Sequence, residues 1–119
     1  MTEIYNPVTV EAAIRECANQ IAKGVGVLDR TYREYLAADR EFDAAWAHAI
    51  IHATGSNLDA RKADATLASL TQREALDNAD AKYKYALNRW RALDNELRAW
   101  QSVGASVRQA YQVAGRGEQ

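Results

Sequence analysis

Two histidines are the residues of this chain best spaced for chemistry. His48 and His52 stand four positions apart in the segment His-Ala-Ile-Ile-His, so on a helix their rings lie one above the other and could share a metal ion. The segment lacks the glutamate that a zinc peptidase carries after its first histidine, and no third ligand is near in the sequence. We therefore predict surface or interface histidines and no metal site.

The other reactive groups form no catalytic pattern. Cys17, the only cysteine, falls on an apolar helix face with Val10 and Ile14, which predicts a small core residue and excludes an intramolecular disulfide. No glycine-rich phosphate loop, nucleophile elbow or cysteine pair occurs. The carboxylates Glu34, Glu41 and Asp43 are typical of the polar side of an amphipathic helix. We predict a protein that is not an enzyme and has no cofactor.

Positive charge is concentrated late in the chain, although the net charge is only −1. Residues 82–116 hold seven basic and two acidic residues, and Lys84, Arg91 and Arg98 repeat every seven positions, which places them in one helical stripe. In one interpretation the stripe is a solvated face, with Asp80 and Asp94 each four positions before a basic residue. In the other it contacts phosphates, and the outward-facing Tyr85 stacks on bases.

Helices must position these groups, because good helix formers dominate between a few glycine breaks. We predict a first helix over Thr9–Lys23, capped by Thr9 and ended by Gly24, and a second over Leu28–Ala53. A glycine turn follows, in which Ser56 or Asn57 can cap a short third helix over residues 58–70. The apolar stripe of the second helix is predicted to pass through the following residues: Leu28, Tyr32, Tyr35, Asp39, Phe42, Trp46, Ala49 and Ala53. Its one carboxylate, Asp39, would need a basic partner if buried.

The fourth helix, predicted over Thr71–Ala114, carries the most regular pattern. Thr71 and Glu74 have the spacing of a capping box, although the third and fourth helices could also be continuous. Its apolar positions step by three and four from Leu76 through Gly104 to Ala114, which is typical of supercoiled packing. At about 65 Å this helix is longer than the second helix, at about 40 Å, so we expect other subunits to cover part of it. The predicted oligomer interface consists of Tyr83, Trp90, Leu93, Leu97, Trp100, Val107 and Tyr111.

Together these patterns predict an all-α fold, an elongated antiparallel helical hairpin or coiled coil that oligomerises through its long C-terminal helix. Residues 1–27 form an N-terminal arm with a short helix, and residues 28–119 form the hairpin, within a single domain overall. No apolar run approaches the ~20 residues of a membrane span, and no secretory leader opens the chain. We expect a cytoplasmic protein.

The order of these features resembles a known family. An aromatic and alanine-rich helix ends in a glycine turn at Gly55, a short charged segment over residues 59–64 follows, and a long helix runs through Tyr83, Tyr85 and Trp90. That helix ends in small and then basic residues over 101–108. This arrangement, over residues 30–112, resembles the UvsY-type recombination mediators of bacteriophages.

The resemblance implies a helical oligomer, a ring in that family, which binds single-stranded DNA and helps a recombinase displace the single-strand-binding protein in the host cytoplasm. The family carries a Lys/Arg pair before the glycine turn, where this chain has His48 and His52 instead. DNA contacts would then have to come from the following basic residues: Arg61, Lys62, Lys84, Arg91, Arg98 and Arg108.

Two further functions remain alternatives at this point. The chain could be a protein-binding coiled-coil module without nucleic acid, such as a virion or assembly component or an inhibitor of a host protein. It could also be a monomeric helical protein whose function lies in a pocket that no sequence pattern reveals.

Overall fold

Three helices make up the described part of the protein. The structure, a computed structural model, describes residues 5–117, with side chains described as far as residue 115. Helix α1 covers Pro7–Ile51, α2 covers Leu58–Ala68 and α3 covers Leu70–Gly117. No strand occurs among residues 5–117, which confirms the predicted all-α class.

Helix α1 begins at Pro7, two residues before the predicted start. The side-chain oxygen of Asn6 accepts a hydrogen bond from the backbone N–H of Thr9 at 2.9 Å, and Thr9 Oγ1 accepts one from the Asn6 N–H at 3.3 Å. Asn6 is thus the capping residue and Thr9 its reciprocal partner. Pro7 suits the first helical position because its missing N–H would have no intrahelical partner there. The prediction of Thr9 as the cap is therefore wrong.

The two helices predicted before the glycine turn are one helix. Helix α1 runs for 45 residues without a break, and neither Gly24 nor Gly26 has a positive φ. Each glycine costs about 1 kcal/mol relative to alanine inside a helix. Gly24 lies half-buried on the apolar stripe between Ile21 and Leu28, so packing on both sides outweighs this cost. Gly24 therefore does not end a helix, contrary to the prediction.

The turn between α1 and α2 depends on a helix cap at Asn57 and on the close approach of the α2 backbone to Gly55. Asn57 caps α2, since its side-chain oxygen accepts a hydrogen bond from Ala60 N–H at 2.8 Å, as predicted. Gly55 does not adopt the left-handed conformation expected of a residue that ends a helix. A Cβ atom at Gly55 would lie 2.8 Å from the backbone of Ala60 and Arg61, so glycine is needed here because α2 approaches closely.

Helices α2 and α3 join at Ser69, not at Thr71. The Ser69 N–H donates to the carbonyls of Ala65 and Thr66, at 3.1 and 3.3 Å, and its hydroxyl donates to Ala65 O at 2.7 Å. A serine hydroxyl bonded to a carbonyl four residues earlier competes with regular helix geometry. Ser69 is fully buried, whereas Thr71 lies exposed inside α3, so the predicted capping box does not form a helix start.

The chain forms two compact units. Unit 1 comprises Met1–Gly26 and Asn88–Gln119, and unit 2 comprises Val27–Leu87. In unit 1, α1 and α3 are antiparallel, because Val10 faces Gly104 while Gln20 is hydrogen-bonded to Arg89. A Cβ at Gly104 would lie 3.2 Å from Val10 Cγ1, so the absent side chain permits this close packing. The buried apolar residues of unit 1 are Val10, Cys17 and Leu93, which confirms Cys17 as a core residue.

Unit 2 is also an antiparallel hairpin, held partly by aromatic contacts. The Tyr83 ring lies 5.1 Å from that of Tyr32 and 6.1 Å from that of Tyr35, between centroids. Nearer the turn, the guanidinium of Arg73 lies 5.5 Å from the centroid of Phe42. The buried residues of unit 2 are Thr31, Ala65, Ser69 and Leu76.

The inward stripe of α1 in unit 2 departs from the predicted one at a single position, where Thr31 faces inward in place of Tyr32. Thr31 is 6% exposed and its hydroxyl donates to Val27 O at 2.9 Å, whereas Tyr32 is 43% exposed. The three- and four-residue steps continue from Leu28 through Thr31 to Tyr35, so Tyr32 lies at the edge of the interface. Asp39 lies on this stripe but is only half-buried and forms no ion pair with any residue in the range 5–115, so the burial that would have required a basic partner is not reached.

The sequence pattern predicted that part of α3 would be uncovered because the helix paired with it is too short, and that premise is wrong. Helix α1 is long enough to lie against α3 in both units, and from Leu76 to Val107 every predicted apolar position of α3 is buried or half-buried within the single chain. Only Tyr111 and Ala114, at the end of that series, are exposed. Self-association therefore cannot be inferred from α1 being too short to cover α3.

Candidate nucleic-acid interface

The exposed side of α3 in unit 1 carries no charge along its centre. Its residues step by four and three: Asn88, Ala92, Asn95, Ala99, Ser102, Ser106, Gln109 and Val113. Arg91 and Arg98 lie along one flank of this uncharged stripe, and Arg89 lies along the other; Arg108 lies beyond the Arg91 flank, at the same helical position as Asp94, nearer the hairpin interface. We call this surface, the uncharged stripe with its four arginines, the arginine face.

Carboxylates compensate little of this positive charge. Between residues 88 and 115 only Asp94 and Glu96 are acidic, and Asp94 is half-buried at the edge of the hairpin interface. Asp94 accepts from Arg98 at 3.2 Å, in a pair whose arginine side chain is 75% exposed. Such an exposed pair contributes about 0–1 kcal/mol, so Arg98 can exchange this partner for another anion.

The other three arginines have no carboxylate partner in the part of the chain that the structure describes. Arg89 Nη2 donates to the neutral amide oxygen of Gln20 at 3.4 Å, which anchors the side chain without neutralising it. Arg91 and Arg108 are exposed and form no ion pair with another described residue. The side chain of Arg116, which belongs to the predicted basic segment, lies outside the described side chains.

The predicted basic residues of unit 2 are arranged differently. Lys84 Nζ lies 2.9 Å from Asp80 Oδ2, and this hydrogen bond raises the pKa of Lys84. Arg61 Nε donates to the Gly55 carbonyl at 3.2 Å, so it helps to fix the turn between α1 and α2. Lys62 is exposed at the start of α2. The six predicted DNA-contacting residues are thus divided equally between the units, and the three in unit 1 share one helix.

Two aromatic predictions are confirmed. Tyr85 points outward and is 70% exposed, whereas Trp90 and Trp100 are half-buried. The Trp100 ring packs edge-on against Tyr5, with centroids 5.6 Å apart. Since only an exposed ring can stack on a base, Tyr85 is more available for that role than either tryptophan.

The residues predicted as an oligomer interface lie mostly in the intramolecular hairpin. Leu93 is 8% exposed, and Tyr83, Trp90, Leu97, Trp100 and Val107 are half-buried within one chain. Tyr111, at 54% exposure, is the member of this set that remains open at the surface.

Sequence reasoning identified three of the four arginines, all except Arg89, and missed the uncharged stripe between them. All the charged residues of α3 between 88 and 115 avoid that stripe, and assigning every residue to its heptad position would have revealed the pattern. The face can bind an anionic chain, because arginine N–H groups bind phosphate oxygens and the serine and asparagine side chains add neutral hydrogen bonds.

Comparison with known proteins adds no relatives. No family model matches the sequence, no curated protein is similar to it, and no solved structure matches the fold. None of the helices in the described part is long and apolar enough to cross a membrane. The function of the chain must therefore be inferred from the chemistry of its surfaces, and the arginine face is the best candidate for a functional site.

Proposed function

We propose that the protein binds single-stranded DNA through the arginine face and has no catalytic activity. One observation carries the proposal: three of the four arginines on this face have no carboxylate partner among the described residues. An unpaired exposed arginine can neutralise a phosphate without first breaking an ion pair. The uncharged stripe between the arginines lets an extended backbone lie along α3, where Glu96, on the Arg89 flank, is the one exposed carboxylate between residues 88 and 115.

The single-stranded form and the biological role come from the resemblance in pattern to UvsY-type mediators. On that basis the chain would be a bacteriophage protein of the host cytoplasm that helps to load a recombinase. Phosphate contacts of this kind hold a strand without reading its sequence, as a loading factor requires. Several weakly bound copies on one strand would add their affinities through effective concentration.

The proposal includes a homo-oligomer, and the thin core supports it. Five hydrophobic residues are buried among those described, and twelve large hydrophobic residues are exposed. Two paired helices bury only one stripe each, so association with further copies is the usual means by which such hairpins gain a larger core. Light scattering should give the mass of two or more chains of 13.2 kDa, and the mass of one chain would contradict the oligomer.

The test is fluorescence anisotropy of a labelled oligothymidylate at about 50 and 300 mM salt. We expect binding at low salt that weakens at least tenfold at high salt, because phosphate contacts release counterions (~0.7 per contact for a single strand). The double variant Arg91→Glu with Arg108→Glu should weaken low-salt binding by more than about tenfold, since it replaces two attractive contacts by repulsive ones.

The matched control is Arg30→Glu with Arg33→Glu, which makes the same charge change at two exposed arginines of unit 2. It should change the affinity less than about threefold if binding depends on the arginine face, and equal losses in both variants would mean that net charge alone drives binding. No binding of the wild-type chain at low salt would overturn the proposal.

A protein-binding module is the second candidate, and exposed apolar side chains in unit 2 favour it. Ile51, Leu58, Leu67 and Leu70 are each more than half exposed. Leu67 lies near the end of α2 and Leu70 begins α3, so apolar side chains are exposed on both sides of the Ser69 junction. This candidate predicts the negative result of the DNA experiment together with a loss of partner binding in Leu67→Asp.

A further inference from the structure

His48 and His52 lie together at the C-terminal end of α1, in unit 2. Their ring centroids are 4.3 Å apart with an angle of 39° between the ring planes. Both residues are exposed, so water and small ions reach them. Arginine-face DNA binding uses neither residue, and no other role has been assigned to them.

The protonation of one ring is determined by a hydrogen bond. His52 Nδ1 lies 2.9 Å from the carbonyl oxygen of His48. A carbonyl can only accept a hydrogen bond, so Nδ1 must carry the proton and donate it. In the neutral imidazole the lone pair is then on Nε2, which points away from that carbonyl. Metal-binding histidines have this arrangement, because a backbone carbonyl that accepts from one nitrogen orients the other toward the ion.

We propose that His48 and His52 bind one divalent transition-metal ion, of the Zn²⁺, Ni²⁺ or Cu²⁺ class, through one ring nitrogen each. A metal–nitrogen distance of about 2.1 Å and an angle near 90° at the ion place the two ring centroids about 4.5 Å apart. The observed separation of 4.3 Å is close to this value, so the two rings are near enough to share one ion. Water molecules complete the coordination of the ion.

The ligand count sets the strength and selectivity of the site. No group of three or more histidine, cysteine or carboxylate side chains that could hold a metal is present among the described residues. The site is therefore weaker than a closed four-ligand structural zinc site. Two imidazoles prefer Cu²⁺ to Ni²⁺ and Zn²⁺ and do not bind Mg²⁺ or Ca²⁺, which require oxygen ligands. The sequence pattern predicted surface or interface histidines and no metal site, so this proposal departs from that prediction on the basis of the ring separation.

The experiment is calorimetric titration of the full chain with NiCl₂ and ZnCl₂, with MgCl₂ as the negative control. We expect one Ni²⁺ per chain, no heat from Mg²⁺, and at least a tenfold loss of Ni²⁺ affinity in His48→Gln and in His52→Gln. Cys17 does not compete for the ion, because its thiol is 4% exposed and burial raises its pKa.

A relocated pair supplies the matched control. The double variant Ala47→His with His48→Ala keeps two histidines on exposed positions but moves one ring by about 100° around the helix. Far-ultraviolet circular dichroism confirms that each variant keeps its helical content. Loss of Ni²⁺ affinity in the relocated variant supports a chelate formed by both rings. Wild-type affinity in that variant, or in either single variant, overturns the proposal.

Discussion

The two units share an antiparallel hairpin but differ in how they balance charge. Unit 2 contains four ion pairs between residues four positions apart, whereas unit 1 contains one among its described residues. The cause is local: in unit 2 each paired base has a carboxylate four positions away, but Arg89, Arg91 and Arg108 have none at that spacing. Many of the charges of unit 2 are therefore paired, whereas three arginines of unit 1 remain available to an external anion.

Their interiors differ as well. Unit 1 packs small and aliphatic residues, with Val10 against Gly104, while unit 2 relies on aromatic contacts around Tyr83 and on a fully buried Ser69. Close aliphatic packing tolerates little change in volume, whereas exposed aromatic edges leave part of the interface open to water. The following predictions test these contrasts from the largest expected effect to the smallest.

Truncation of one core leucine in each unit should give the largest loss of stability. Leu93 in unit 1 and Leu76 in unit 2 are each 8% exposed, so Leu93→Ala and Leu76→Ala should each cost about 2–4 kcal/mol. Hydrogen exchange should show that Leu93→Ala lowers protection in unit 1 and Leu76→Ala lowers it in unit 2. Equal loss of protection across the whole chain from either variant would show that the two units unfold as one.

The two close-approach glycines should differ in their sensitivity to a methyl group. Gly55→Ala in unit 2 should cost about 1–3 kcal/mol, because the new Cβ would lie 2.8 Å from backbone atoms that cannot rotate away. Gly104→Ala in unit 1 should cost less, because the nearest atom is a side-chain methyl of Val10 at 3.2 Å. Urea denaturation of both variants measures the difference, and a larger loss in Gly104→Ala would contradict it.

Replacing a single arginine should change the salt dependence of DNA binding if the arginine lies on the arginine face of unit 1, but not if it is an ion-paired arginine of unit 2. Arg91→Gln should reduce the slope of log affinity against log salt by about 0.7, the value for one phosphate contact with a single strand. Arg33→Gln should leave the slope unchanged, because this arginine is already paired with Asp29 at 3.0 Å. Anisotropy titrations at four salt concentrations measure both slopes, and equal changes would remove the distinction between the units.

The smallest effect is an expected gain in stability. Gly24→Ala and Gly26→Ala should each stabilise the protein by about 0.5–1 kcal/mol, because alanine favours the helix and the new methyl group would enter open space. At both positions, no atom beyond the local helix lies within 4 Å of the place that the methyl group would take. Thermal unfolding followed by circular dichroism measures the gain. A lower melting temperature in either variant would show that these glycines are needed for a reason other than helix propensity.

Much of the architecture follows from local patterns in the sequence. The helical class, the cap at Asn57, the burial of Cys17 and the outward position of Tyr85 were all predictable from propensity and periodicity. Arg91 and Arg98 were predictable from their seven-residue spacing along α3, as was the ion pair that joins Lys84 to Asp80.

Tertiary packing determined the features that local sequence patterns do not determine. Propensity placed a helix end at Gly24, but burial of the continuous apolar stripe of α1 against α3 keeps the helix intact. Periodicity allowed either Thr31 or Tyr32 to face inward, and the large Tyr32 ring lies at the edge, where it contacts Tyr83. The sequence by itself determined which residues form helices and which charges can pair within one turn. Only the tertiary structure decided the register of the hairpin and which arginines remain unpaired, because both depend on contacts between residues far apart in the chain.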